Sequence, residues 1–139
     1  MIDPIGLVGT LIAIIQVCNK VVSVCYDYRN GVRGAPREIS LVLDEVASVG
    51  EIARRLFQIA DTNASSESPL LQTMTTGGGT LERCLNELVD LKTSLKLGKK
   101  TGKITVLVWP WKQPEAEKRL QIIGRIKLTL QLALSADNA

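Results

Sequence analysis

The strongest constraint on the fold is an apolar stretch near the amino terminus, from Ile5 to Val24. No charged side chain occurs between Pro4 and Asn19. The stretch is far longer than a usual strand of about 5–6 residues, which favours a helix. Asp3 suits the N-cap of that helix, and Pro4 suits its first turn. The sequence therefore predicts an apolar first helix over about residues 4–28.

A helix that is apolar nearly all round must be buried in protein or lie in lipid. A bilayer span needs about 20 mostly apolar residues, and the uncharged run here ends slightly short of that, at Asn19 and Lys20. Two alternatives follow: a core helix and nothing more, or a core helix that can also leave the bundle and enter a membrane. The membrane-inserting residues would be Ile5, Leu7, Val8, Leu11, Ile12, Ile14, Ile15, Val17, Val21, Val22 and Val24.

Length and composition indicate one aliphatic helical domain in a reducing compartment. A chain of 139 residues is expected to form one domain with a real core. The three cysteines form no Cys-x-x-Cys pair and are odd in number, which favours buried thiols in the cytosol. The first four residues carry only an acidic charge, so a secretory signal peptide is not expected. We expect a cytoplasmic protein at rest.

Three further helices are predicted, over about residues 36–60, 80–97 and 113–135. Each has apolar residues three and four positions apart, as a helix packed on one side requires. The stripes comprise Ile39, Val42, Val46, Val49, Ala53, Leu56 and Ala60; Leu81, Cys84, Leu85, Leu88, Leu91 and Leu95; and Leu120, Ile123, Ile126, Leu130, Ala133 and Leu134. Four helices joined by short loops predict an all-α bundle of the four-helix type.

Two segments between these helices are ambiguous. Residues 69–75 have the composition of a short helix, which Gly77–Gly79 should interrupt before Thr80 caps the third helix. Residues 104–108 prefer a strand locally. A single strand in a helical chain has no ladder partner, so we favour a helix or an irregular packed segment there.

Catalytic chemistry is poorly supported. The chain has no histidine, so the commonest general base is missing. Residues 98–103 superficially suggest a phosphate loop, but no Gly-Lys pair is followed by Ser or Thr. The cysteines lack zinc-site spacing. We therefore expect no enzyme, no metal and no cofactor.

A basic segment runs from Lys92 to Lys112, with six lysines and no acidic residue. It also contains both tryptophans of the chain. Basic residues near an anionic leaflet contribute about 1 kcal/mol each, and Trp favours the membrane–water boundary. The alternative is a solvated helix end with the tryptophans in the core. Nucleic acid is not expected, because the segment is short and lacks arginine. The candidate lipid-headgroup-binding residues are Lys96, Lys99, Lys100, Lys103, Trp109, Trp111 and Lys112.

Several short motifs follow one another along nearly the whole chain. It opens with Met, then Asp-Pro and the apolar helix, and Ala-Pro-x-Glu-Ile follows at residues 35–39. A Cys-Leu pair with spaced leucines begins at Cys84, a Trp-Pro-aromatic-Lys motif occupies residues 109–112, and Leu-Ala-Leu occupies residues 132–134. In this order and spacing they resemble the fungal HeLo-like amino-terminal domain.

The resemblance implies a helical bundle at the front of fungal NLR-like receptors or of smaller cell-death effectors. It implies activation by oligomerisation, after which the first helix leaves the bundle and permeabilises the plasma membrane in programmed cell death, heterokaryon incompatibility and innate immunity. The implied partners are anionic membrane lipids, further copies of the chain, and an NLR-like receptor in cis or in trans. The first helix has no acidic residue between Asp3 and Asp27, which argues against an acid-lined pore. The alternative function is a soluble oligomerisation or signalling-adaptor module without membrane activity.

Overall fold

Four α-helices make up nearly all of the described chain. A computed structural model describes residues 4–31, 37–62, 79–96 and 110–138. Within them lie α1 (Pro4–Gly31), α2 (Arg37–Thr62), α3 (Thr80–Lys96) and α4 (Gln113–Asn138), with no strand. The all-α prediction is confirmed, and each helix begins within one residue of its predicted start. The segments 69–75 and 104–108 lie outside the described residues.

The starts of α3 and α4 have backbone hydrogen bonds that define them. The Arg83 N–H donates to the Gly79 carbonyl at 2.9 Å, so Gly79, one residue before the predicted cap, holds the capping position. Gly79 has a φ of 85°, a conformation that glycine adopts without strain. The Ala116 N–H donates to the Lys112 carbonyl at 2.9 Å. Pro114 falls in the first turn of α4, where a backbone N–H has no partner within the helix.

The helices alternate in direction. The connection between α1 and α2 is only five residues long and cannot span the length of either helix, so the two are antiparallel. The hydroxyl of Tyr28, near the end of α1, donates to the carbonyl of Leu95, near the end of α3. Both helices therefore end at the same end of the bundle. Helix α1 packs against α2 and α3, and α2 also packs against α4.

The predicted apolar stripes form the core. All seven stripe residues of α2 are buried, and the stripes of α3 and α4 are buried except for three positions that are partly buried, Leu85, Leu120 and Leu134. The core is almost entirely aliphatic, with Tyr28 and Trp111 as its buried aromatic residues in the described part. Spacing by three and four was therefore enough to locate the buried side of these three helices.

Helices α1 and α2 approach closely where Gly50 faces Cys18. A Cβ atom on Gly50 would lie 3.3 Å from the Cβ of Cys18. Both atoms are fixed directly to helical backbone, so rotating a side chain cannot relieve the contact. The absence of a side chain at residue 50 thus sets the distance between the two helices.

We predict that Gly50→Ala lowers the free energy of unfolding by about 1–3 kcal/mol, as overpacking of a tight core position does. Gly124→Ala is the matched control, because nothing lies within 4 Å of its added Cβ. There, alanine should stabilise the helix by about 0.5–1 kcal/mol. Urea denaturation of the three proteins measures both changes. Equal effects of the two substitutions would contradict the close approach at Gly50.

Candidate functional site

Helix α1 does not bury all the apolar side chains that the sequence assigns to membrane insertion. Ile12 is exposed, at 39% of its full accessibility, and the side chain of Ile5 lies outside the described residues. The buried members are Leu7, Leu11, Ile14, Val21 and Val24, and the partly buried ones are Val8, Ile15, Val17 and Val22. The set therefore divides between the core and the edges of the packed face.

The outward side of α1 is a stripe of small and uncharged residues. Gly6, Gly9, Gln16, Asn19 and Ser23 are exposed on this side, and the exposed Ile12 lies between Gly9 and Gln16. The predicted hydrophobic first helix is confirmed, and this outward side is its least apolar one. The spacing of these residues was visible in the sequence, but the larger aliphatic residues between them dominated its interpretation.

Helix α1 is nevertheless long and apolar enough to cross a bilayer. Residues Gly6–Gly31 form a 26-residue segment with a mean hydropathy of 1.9 in its most apolar window, of which 33% is buried in the bundle. Core helices of soluble proteins, which are mostly buried, and signal sequences near the N-terminus meet the same criterion of length and composition. Helix α1 has eight buried apolar side chains, against nine in the less apolar α2. Its apolarity therefore exceeds its burial.

Polar contacts fasten the second half of α1 to its neighbours. The Arg54 guanidinium on α2 donates to the side-chain carbonyl of Asn19 at 2.7 Å. The Tyr28 hydroxyl donates to the Leu95 carbonyl, which lies in the last turn of α3 and has no acceptor role within that helix. The first half of α1 packs through aliphatic side chains such as Leu7 and Leu11.

The three cysteines are free and buried, as the sequence predicts. Burial raises the pKa of Cys18 to about 12, partly offset by the Arg54 charge, and raises the pKa of Cys25 to about 12. Burial also raises the pKa of Cys84 to about 11, with a further contribution from Glu87. Thiols of this kind are poor nucleophiles because the thiolate is scarce. Two of the three, Cys18 and Cys25, lie on α1, so the raised pKa of their thiols depends on how α1 packs in the bundle.

The described part of the basic segment has Trp111 in the core. Its indole Nε1–H donates to the Ser94 Oγ at 2.7 Å, and only 5% of the residue is exposed. The Arg119 guanidinium lies 5.8 Å from the centre of the ring. Within the bundle Trp111 therefore joins the end of α3 to the start of α4, and a headgroup contact would require it to leave Ser94.

The other predicted headgroup ligands fall into two groups. Lys112 is exposed beside the start of α4. The side chains of Lys96, Lys99, Lys100, Lys103 and Trp109 lie outside the described residues. Trp111 is therefore the one tryptophan for which the structure distinguishes a position in the core from a position at the membrane boundary.

Charge is distributed unevenly along the chain. Residues 1–90 contain seven Lys and Arg against eleven Asp and Glu, whereas residues 91–139 contain ten against three. The segment from Lys92 to Lys112 supplies six of the seven excess positive charges in this part, and α4 supplies one. Comparison with protein-family profiles, curated proteins and solved structures finds no match to this chain.

We predict that stability falls as the pH rises above 9. An unfolded thiol loses its proton near its ordinary pKa of 9.0, while folded Cys18 keeps its proton to about 12. Between these values unfolding releases a proton, so the free energy of unfolding falls by about 1.4 kcal/mol per pH unit for each such thiol.

Urea denaturation of the wild type and of Cys18→Ala from pH 8 to 11 checks this slope. The variant should be less stable, with a pH slope smaller by about 1.4 kcal/mol per unit. Val24→Ala, another buried position on α1, is the control that lowers stability without changing the slope. An unchanged slope in Cys18→Ala would count against the buried, protonated thiol.

Proposed function

We propose that the chain is a HeLo-like, membrane-permeabilising execution domain of fungal programmed cell death. In this proposal it is cytoplasmic at rest, self-associates on activation by an NLR-like receptor in cis or in trans, and acts on the plasma membrane. Helix α1 is the inserting element, and the basic segment from Lys92 to Lys112 contributes to recruitment to the membrane. The observation that carries the proposal is that α1 has more apolar surface than the bundle buries.

The length of α1 supports insertion. The uncharged run from Pro4 to Asn19 is 16 residues, or about 24 Å of helix, against a hydrocarbon core of about 30 Å. The next charged residue after Lys20 is Asp27, so 23 residues carry a single charge. A lysine near the end of a span can extend its ammonium to the interface. The backbone of α1 is already hydrogen-bonded within the helix, so entry into lipid leaves few polar groups unsatisfied.

Release of α1 must expose its buried side chains, and lipid can accept them. Leaving the bundle for water would expose Leu7, Leu11 and Ile14, at about 1.5–3 kcal/mol for each. Transfer to hydrocarbon regains that apolar burial. The exposed glycines and Gln16 on the outer stripe carry no charge that would oppose entry. Activation therefore has to overcome chiefly the packing of α1 on α2 and α3.

We predict that a disulfide between α1 and α2 blocks leakage of anionic liposomes. A Cβ on residue 50 lies 3.3 Å from the Cβ of Cys18, slightly below the usual disulfide range of about 3.5–4.5 Å. Gly50→Cys, with Cys25 and Cys84 changed to alanine, should therefore form this bond when refolded in an oxidising glutathione buffer. Mass spectrometry measures the yield of the bond, and release of an encapsulated dye measures leakage.

The same variant refolded under reducing conditions is the first control and should leak. The second control adds Cys18→Ala, which removes the bonding partner, so oxidation should have no effect on its leakage. A disulfide-bonded protein that leaks as fast as its reduced form would rule out departure of α1 from α2.

A second variant tests the same element without a new cysteine. Deleting residues 2–6 shortens the apolar run well below spanning length, while an end turn can fray at modest cost. We predict that the truncated chain keeps a cooperative helical melt, measured by circular dichroism, and loses liposome leakage and killing of fungal cells. A folded truncation that still permeabilises membranes would identify another inserting element. A wild type that neither binds nor permeabilises liposomes would favour the soluble adaptor module.

We predict that Lys99, Lys100 and Lys103 contribute to recruitment. Exposed charges are screened over about 10 Å at 0.1 M salt, so binding to phosphatidylserine vesicles should weaken as salt is added. Changing all three to glutamine should weaken it further, by about fivefold per charge. The matched control changes Arg37, Arg55 and Arg83, exposed on α2 and α3, to glutamine. Equal co-sedimentation of the two triple variants would contradict a specific role for the lysine segment.

A further inference from the structure

The outer side of α4 carries an unusual combination of exposed residues. Leu128 and Leu132 are 55% and 61% exposed, the most exposed large apolar side chains in the described chain. Lys118 and Arg125 are exposed on the same side of the helix, with Gln121 between them. The positions 118, 121, 125, 128 and 132 follow helical spacing, so these five side chains share one face. We call them the outer α4 face.

The cations of this face are not engaged in the ion pairs that occupy the other cations of the helix. From residue 117 to 135, α4 has four basic residues and one acidic residue, the exposed Glu117 at the edge of the outer α4 face. Arg119 pairs with Glu115 at 3.0 Å, and Lys127 pairs with Glu45 of α2 at 3.5 Å. In the part of the chain that the structure describes, Lys118 and Arg125 have no such partner. Two cations are therefore directed outward without compensation.

The outer α4 face is also separate from the packing of α1. Helix α4 packs chiefly on α2, whereas α1 packs on α2 and α3. The inward side of α4 is held by buried residues such as Ile123 and Leu130. Gly124 leaves a depression beside Arg125 and Leu128, with nothing within 4 Å of where its Cβ would be. A ligand could occupy the outer face without disturbing any helix.

We infer that the outer α4 face docks the folded bundle on an anionic lipid surface before α1 moves. This inference rests on the proposed membrane function and adds the surface that makes first contact. Cations and exposed leucines on one face are the pattern of a helix lying in the membrane interface, its leucines entering the acyl boundary and its cations meeting headgroups. The face spans about 21 Å along the axis, from residue 118 to 132. Its two cations outnumber the one exposed carboxylate at its edge, Glu117, so the face matches an anionic lipid surface better than a protein surface of mixed charge.

The test is co-sedimentation with vesicles of phosphatidylserine and phosphatidylcholine, using the oxidised Gly50→Cys protein as well as the wild type. The disulfide holds α1 in the bundle, so binding then reports docking alone. Changing Lys118 and Arg125 to glutamine should weaken binding about 30-fold, at about fivefold per charge. Changing Leu128 and Leu132 to glutamine in addition should reduce binding to the level seen with pure phosphatidylcholine.

The matched controls remove the same groups from other faces. Arg55→Gln with Arg83→Gln deletes two exposed cations from α2 and α3, and Leu41→Gln replaces a leucine that is 40% exposed on α2. These should bind vesicles within about twofold to threefold of wild type, the loss expected from net charge alone at physiological salt. Thermal melts by circular dichroism confirm that all the surface variants fold.

The outcomes separate this inference from the proposed function. Unchanged vesicle binding of the four-residue α4 variant overturns the inference, even if the wild type leaks liposomes. An α4 variant that keeps vesicle binding but loses self-association in lipid-free sedimentation overturns it in favour of a second copy as the occupant. Docking lost only in the α4 variants, with no leakage by any protein, supports the inference and removes the permeabilising function.

Discussion

The close packing of α1 on α2 is the contact on which the rest of the bundle depends. Helix α2 packs extensively on both α1 and α4, whereas α3 packs on α1 and touches α4 only slightly. At the α1–α2 contact residue 50 is a glycine, so no side chain holds the two helices apart there. The Arg54 guanidinium on α2 also donates a hydrogen bond to the Asn19 side chain on α1. The contact thus combines close approach with a directional hydrogen bond.

In this packing, α1 has more apolar side-chain surface than the bundle buries. Three sides of the helix are aliphatic, but only the side toward α2 and α3 is fully buried. The partly buried side chains at its edges, such as Val8 and Ile15, gain only part of the transfer free energy available to them. An environment that surrounds the helix can supply the remainder, which is why a lipid destination is physically reasonable for this helix and not for the amphipathic α2.

Most of the helical architecture could be predicted from the sequence because helix periodicity is a local property. Residues 39, 42, 46, 49, 53, 56 and 60 identify a buried side without any knowledge of the partner helix.

The capping position at Gly79 was misplaced by one residue because Thr80 is the better side-chain cap, whereas the backbone needed a positive φ. The burial of Trp111 was left open, since it depends on a tertiary contact with Ser94, 17 residues earlier in the chain. The outer α4 face also needed the structure: Leu128 and Leu132 resemble core residues until α2 is seen to contact the other side of the helix.

The hydroxyl of Tyr28 has a consequence for how α1 can come away. Together with Asn19 it places the directional contacts in the rear half of the helix, while aliphatic packing alone was found around Leu7 and Leu11. Separation of α1 from the bundle should then begin at its amino terminus and proceed toward its carboxyl terminus. At each stage only a turn or two of unshielded side chains faces water, so the activation barrier is divided into small steps. In the proposed membrane function, a bilayer beside the bundle would take up each freed turn before the next one separates.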